Sequence, residues 1–150
     1  MHIIFSWDAD GARWTGSTAP ATLGRVVVGP ARLAGILATR LACSSPAAAR
    51  RARTAVVRRA LDATLGSRPA DTPYVASFRA DPWTLSRHVL AWRDELVTAG
   101  WDGECAADAS PRMRLLADVS ELLAADPGWL PGGADELHAV DELLSDLAER

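Results

Sequence analysis

Residues 81–101 read DPWTLSRHVLAWRDELVTAGW, and this stretch has the most complete helix pattern in the chain. Asp81 can accept hydrogen bonds from the amides of a first helical turn, and Pro82 loses no hydrogen bond at the first helical position. A stripe that is apolar apart from one histidine follows at helical spacing. Its members are Leu85, His88, Val89, Trp92 and Leu96. Gly100 fits the left-handed residue that ends a helix, which would let Trp101 fold back onto the last turn.

Four further helices are predicted around this one, over residues 31–42, 47–65, 111–125 and from 134 onward. Ser110-Pro111 repeats the starting signal seen at 81–82, and Asp126-Pro127 provides a stop. The last helix places apolar residues on one face and continues to Arg150 without a stop signal. These residues are Leu137, Val140, Leu144 and Leu147. We therefore expect 1–150 to form a single domain at the front of a longer chain.

Three short strands complete the predicted fold. They are His2–Trp7, the β-branched run Arg25–Pro30 and Tyr74–Phe78. Strands that alternate with helices are typical of a parallel sheet covered by helices. The expected fold class is therefore α/β, with a small, mostly parallel sheet of about three strands and four or five helices.

Composition limits the chemistry that this chain can perform. All sixteen basic residues are arginine, so no lysine can hold a nucleotide phosphate or form a Schiff base. The net charge of −3 argues against a dedicated nucleic-acid-binding module, although it allows a local basic patch. Cys43 and Cys105 have no CxxC partner and are expected to be reduced thiols. No apolar run approaches the ~20 residues of a membrane span, so we expect a cytoplasmic protein without a membrane partner. No metal or cofactor is predicted, since no cluster of ligand residues completes a site.

The turn after the first strand contains Asp8-Ala9-Asp10-Gly11, which resembles the nucleophile motif of the haloacid-dehalogenase-like phosphatases. The resemblance implies that Asp8 would attack phosphorus and Asp10 would handle the leaving-group proton, with magnesium present. Ala12 stands where the motif has threonine or valine, and no later strand ends in an acidic pair. We expect a strand and a connection here, with both aspartates solvated and bonded to the amides of their own turn, and keep the phosphatase as an alternative.

A second resemblance covers nearly the whole chain. The pattern Asp81-Pro82-Trp83, then Trp92 to Leu96, then Gly100-Trp101, is similar to the start of AddB-type helicase–nucleases, relatives of RecB with a PD-(D/E)XK nuclease domain. The resemblance implies a helicase-like first domain and a role in DNA processing. The first strand is not followed by GK[ST], so such a domain would lack ATPase chemistry. The expected function is a non-catalytic scaffold that contacts DNA, with a helicase subunit or the rest of the polypeptide as partner.

One basic cluster could contact DNA. It consists of Arg50, Arg51, Arg53, Arg58 and Arg59 on the predicted helix 47–65. The buried stripe of that helix is expected to contain Val57, Leu61 and Leu65, which leaves Arg51 and Arg58 on a common flank. The alternatives are a solvated helix face and a set of phosphate contacts.

The histidines are not predicted to form a site. His138 precedes Asp141 and Glu142 at helical spacing, and we expect an exposed, ion-paired histidine there rather than half of a metal site. His88 is expected at the edge of the core. A third functional alternative is a stand-alone interaction module whose helices bury themselves on a partner protein.

Overall fold

The computed structural model describes residues 2–10, 24–44 and 50–149. Within these ranges the chain is mixed α/β and mostly helical, with six helices and one parallel sheet of two strands. It divides into two compact units, one containing Met1–Ser45 and Ala139–Arg150 and the other Pro46–His138. None of the helices in the described ranges is long and apolar enough to cross a membrane.

The first unit contains a small α/β arrangement. β1 (His2–Phe5) pairs in parallel with β2 (Arg25–Val28), in a register that places His2 opposite Arg25. The β-branched run of β2 favours the strand, and its last residue, Val28, is fully buried. α1 (Pro30–Arg40) follows after a single glycine and buries Ala38. The sequence prediction thus located both strands and the helix correctly, to within two residues at each end.

The second unit is built from helices. They are α2 (Arg50–Leu65), α3 (Val75–Ala80), α4 (Pro82–Thr98) and α5 (Pro111–Ala125), and the division between units falls within α6 (Gly133–Ala148). α2 packs against α4 and α5, and the predicted stripe of Val57, Leu61 and Leu65 is buried in the shared core. Leu116, Val119 and Leu123 of α5 join the same core, as their helical spacing predicts.

The caps of α4 confirm the prediction from residues 81–101. The Asp81 side chain accepts a hydrogen bond from the Thr84 amide at 2.9 Å. That bond is the main reason that the pKa of Asp81 lies below its ordinary value of 3.8. Gly100 has φ +88°, and the Trp101 amide donates to the Leu96 carbonyl at 2.9 Å. This is the Schellman arrangement, in which Trp101 and Leu96 also pack against the core.

The predicted third strand, Tyr74–Phe78, is wrong because these residues begin α3. Tyr74 takes a left-handed conformation with φ +70° and precedes the helix, and the Phe78 amide donates to its carbonyl at 2.8 Å. Val75 and Phe78 are buried three residues apart, which is helical spacing rather than strand alternation. A short run of apolar and aromatic residues satisfies either pattern, so the sequence alone favoured the wrong one.

Candidate functional site

The basic face of α2 divides into exposed and buried arginines. Arg50, Arg51, Arg58 and Arg59 are exposed, as expected for a surface cluster. Arg53 is only 5% exposed, so it is not part of that surface, and including it in the DNA-contacting set was wrong. Position 53 lies four residues before Val57 and therefore faces the core on the same stripe.

Arg58 contacts an exposed tryptophan on the neighbouring helix. Its guanidinium carbon lies 5.4 Å from the centroid of the Trp83 ring, a cation–π distance. Trp83 is 47% exposed although it is one of the largest apolar side chains in the unit. It occupies the second position of α4, which Asp81 and Pro82 fix in place by capping and by a preset φ angle. An exposed indole with a guanidinium against it therefore lies in the capped first turn of α4.

α2 and α4 run in opposite directions. Arg53 meets Asp94 in the C-terminal half of α4, whereas Arg58 meets Trp83 at the N-terminal end of the same helix. Moving along α2 from Arg58 toward its N-terminus therefore corresponds to moving along α4 from Trp83 toward its C-terminus. Arg58 and Trp83 mark the place where the exposed sides of the two helices meet.

Two more cations lie along these two helices. Arg51 precedes Arg58 by seven residues, or two helical turns, which is about 10.5 Å. Arg87 follows Trp83 by four residues on the same face of α4, and its guanidinium donates to the Thr84 hydroxyl at 2.8 Å. We call Arg51, Arg58, Trp83 and Arg87 the Trp83 patch. All four side chains are exposed.

The cations of the Trp83 patch are not neutralised by salt bridges. Over residues 2–10, 24–44 and 50–149, no carboxylate lies within salt-bridge distance of Arg51, Arg58 or Arg87. The negative charge at the N-terminal end of α4 is Asp81, whose pKa is lowered chiefly by the Thr84 amide and, as the smallest contribution, by Arg87. The patch thus has three exposed positive charges around an aromatic ring in a chain of net charge −3.

Arg59 differs from its neighbours because it already has a partner. Its guanidinium donates to the Asp126 carboxylate at 2.9 Å. The pKa of Asp126 is lowered first by the hydrogen bond from the Gly128 amide and then by Arg59. A phosphate would have to compete with this carboxylate, so Arg59 contributes less to an anion-binding surface than Arg51 or Arg58 does.

A partly buried ion cluster surrounds the buried side chain of Arg53, and no local sequence pattern indicated it. Both Nη atoms of its guanidinium donate hydrogen bonds to the Asp94 carboxylate, at 2.7 and 2.8 Å. One of them also donates to Asp135 at 2.9 Å. Arg93 donates to the other oxygen of Asp135 at 2.7 Å. The ring of Trp129 contacts both arginines, with guanidinium carbons 4.8 and 5.0 Å from its centroid. We call these five residues the Arg53 cluster.

The Arg53 cluster joins parts of the second unit that are distant in sequence. It connects α2, α4, the loop after α5 and the first turn of α6. Asp135 also accepts from the Gly132 amide at 2.7 Å, and the Leu130 carbonyl accepts from Arg53 Nε at 3.2 Å. Two arginines balance two aspartates, so the cluster carries no net charge. We assign it a structural role, because charges in this environment must be paired.

Asp10 has a different role from the one expected. Its carboxylate accepts hydrogen bonds from the amides of Ala31 at 2.5 Å and Arg32 at 3.1 Å, rather than from the amides of its own turn. These amides begin α1, whose own N-cap, Gly29, offers no side chain. A Cβ at Gly29 would collide with the backbone and carboxylate of Asp10, so glycine allows this close approach. Asp10 therefore caps α1 from 21 residues away, and its charge is favourable at a helix N-terminus.

No protein-family model, no curated protein and no solved structure matches the chain. Its function has to follow from the side chains themselves. Of the two groups built from described residues, the Trp83 patch has all four of its side chains exposed, whereas the Arg53 cluster is centred on a buried arginine.

The remaining candidates do not form a site. Within the described ranges no group of three or more His, Cys, Asp or Glu side chains could hold a metal ion. His88 is exposed rather than at the core edge, and its ring stacks on Trp92 with centroids 6.0 Å apart. Cys43 and Cys105 are both free thiols, as their spacing predicts. Asp8 is exposed beside the capping carboxylate of Asp10.

Proposed function

We propose that this chain is a non-catalytic, helicase-like domain of a DNA helicase–nuclease, acting as a scaffold that contacts DNA during end processing or repair. The observation that carries the proposal is the Trp83 patch, with three exposed guanidinium groups on two packed helices that form no salt bridge with any carboxylate in the described part of the chain. The resemblance of residues 81–101 to AddB-type proteins favours DNA over other polyanions. The helicase-like arrangement is part of the proposal and is supported by the parallel pair β1–β2 with α1 following it.

Guanidinium groups suit this contact because they present several donors in a fixed plane to phosphate oxygens. The patch contains no built pocket for a base pair, so its contacts with duplex DNA would be to the backbone and independent of sequence. With three phosphate contacts, the logarithm of the binding constant falls with the logarithm of the salt concentration with a slope of about −2.7. This slope corresponds to a roughly 40-fold loss of affinity between about 50 and 200 mM salt. We expect weak binding that is measurable only at low salt.

The test is a fluorescence-anisotropy titration of labelled DNA with the wild-type chain and the double variant Arg51→Glu/Arg58→Glu. We expect the variant to lose at least about tenfold in affinity at 50 mM salt and to show a shallower salt slope. The matched control is Arg32→Glu/Arg40→Glu, which makes the same change in charge at two exposed positions of α1. Equal loss in both variants, or no loss in either, would reject the patch as the DNA contact.

A second candidate function, a protein-interaction module, is favoured by a different observation. Every residue of β1 is exposed, and Ile3, Ile4, Phe5 and the following Trp7 are large and apolar. Contiguous exposed apolar side chains mark interaction surfaces in many proteins. The same titration discriminates between the candidates, because absence of DNA binding at low salt leaves the interaction module as the better explanation.

A further inference from the structure

We infer that the Trp83 patch selects single-stranded over duplex DNA, by stacking an unpaired base on Trp83 while the three arginines hold the flanking phosphates. The inference rests on the proposed function and specifies its ligand. Stacking of a base depends on the indole ring, whereas contact with the DNA phosphates depends on the three arginines.

The indole is placed for stacking rather than for packing. About half of its surface is exposed, and the ring lies in the first turn of α4, whose N-terminus is capped by Asp81. The guanidinium of Arg58 contacts the ring, so a positive charge lies next to the indole. A phosphate adjoining a stacked base would therefore meet a guanidinium that is already in position. Aromatic side chains next to cations are the usual means of binding single strands, because every base has a π-face.

Duplex DNA cannot use this ring in the same way. Its bases are stacked on one another and paired, so an indole on a convex helix surface reaches only the backbone. A single strand can turn one base outward at little cost. The difference in affinity between the two ligands therefore measures the contribution of Trp83.

The spacing of the cations suits a short strand. Arg51 lies about 10.5 Å from Arg58 along α2. This distance corresponds to about three nucleotides at the roughly 3.4 Å spacing of a stacked strand, and to fewer in a stretched one. Arg87 lies one turn from Trp83 along α4 and supplies the third cation. The patch thus accommodates one stacked base and roughly three phosphates.

The experiment compares a labelled 15-nucleotide oligothymidine with a duplex of equal length at 50 mM salt. Trp83→Leu keeps helix propensity and removes the ring, and we expect it to lower affinity for the single strand by at least about fivefold and to lower the ratio of single-strand affinity to duplex affinity. Trp7→Leu is the matched control, because Trp7 is also an exposed tryptophan (78%) but lies on the other unit. Circular dichroism confirms that each variant is folded.

A second readout follows the ring directly. Oligothymidine should quench part of the tryptophan emission of the wild type and of Trp7→Leu, and this quenching should be absent in Trp83→Leu. If both DNA forms bind, if Arg51→Glu/Arg58→Glu weakens both and if Trp83→Leu alters neither, the stacking inference is wrong and the proposed function stands. If the wild type binds neither form at low salt, the proposed function fails and the inference fails with it.

Discussion

Removing the central charge of the Arg53 cluster should destabilise the second unit more than any change on its surface. Arg53→Met keeps an apolar stem of similar length and deletes the guanidinium. The change removes four hydrogen bonds, to Asp94, Asp135 and the Leu130 carbonyl. Two carboxylates then share the single charge of Arg93, in a site that is only partly open to water.

The magnitude follows from burial. Breaking a buried ion pair by removing one partner costs about 3–5 kcal/mol, because the remaining charge is left uncompensated. The Arg53 side chain is 6% exposed and that of Asp135 is 15% exposed, whereas Asp94 is 30% exposed and can recover some hydration. We therefore expect a loss near the lower limit, about 3 kcal/mol. That is a large part of the roughly 5–15 kcal/mol that stabilises an ordinary domain.

Arg59→Met is the matched control. It also removes an arginine of α2 that bonds an aspartate far away in sequence, but the Arg59 side chain is 61% exposed. Pairs at the surface contribute little, so its effect should be several times smaller. Urea unfolding followed by circular dichroism gives both free energies, provided that the dependence of the free energy of unfolding on urea concentration is the same in wild type and variants. If the two variants lose similar amounts of stability, the role assigned to burial in the Arg53 cluster is wrong.

Two further predictions concern the ends of α4. Gly100→Val should lower the free energy of unfolding by about 1 kcal/mol or more, because φ is +88° there. No neighbouring atom lies within 4 Å of the Cβ position, so Gly100→Asn, which tolerates this conformation, should recover much of the loss in urea unfolding. Asp81→Ala should destabilise the chain at pH 7, and by progressively less as the pH falls below 3.8. The pKa of Asp81 is lower folded than unfolded, so its contribution is present above the unfolded value of 3.8 and disappears as pH falls through the folded value. If the difference in free energy of unfolding between wild type and Asp81→Ala does not become smaller in acid, the capping role of Asp81 is contradicted.

Local features could be predicted because their causes lie within a few residues. The cap of Asp81 depends on an amide three positions away, and the left-handed turn at Gly100 depends on the absence of its own side chain. The same is true of the strand β2, whose β-branched run favours extended backbone. At Tyr74–Phe78 the local pattern fitted two structures, and the packing of Val75 and Phe78 against the core decided between them.

The sequence by itself therefore determined the helices other than α3, the two caps of α4 and the arginine-rich face of α2. Only the tertiary structure decided what the individual charges do. Arg53 and Arg58 lie on one helix, yet one is buried against Asp135, 82 residues away, and the other is exposed against Trp83. Asp10, 21 residues before Ala31, became a helix cap for the same reason. Such partners meet through packing between elements, and the energy of a charge depends on the burial and neighbours that this packing creates.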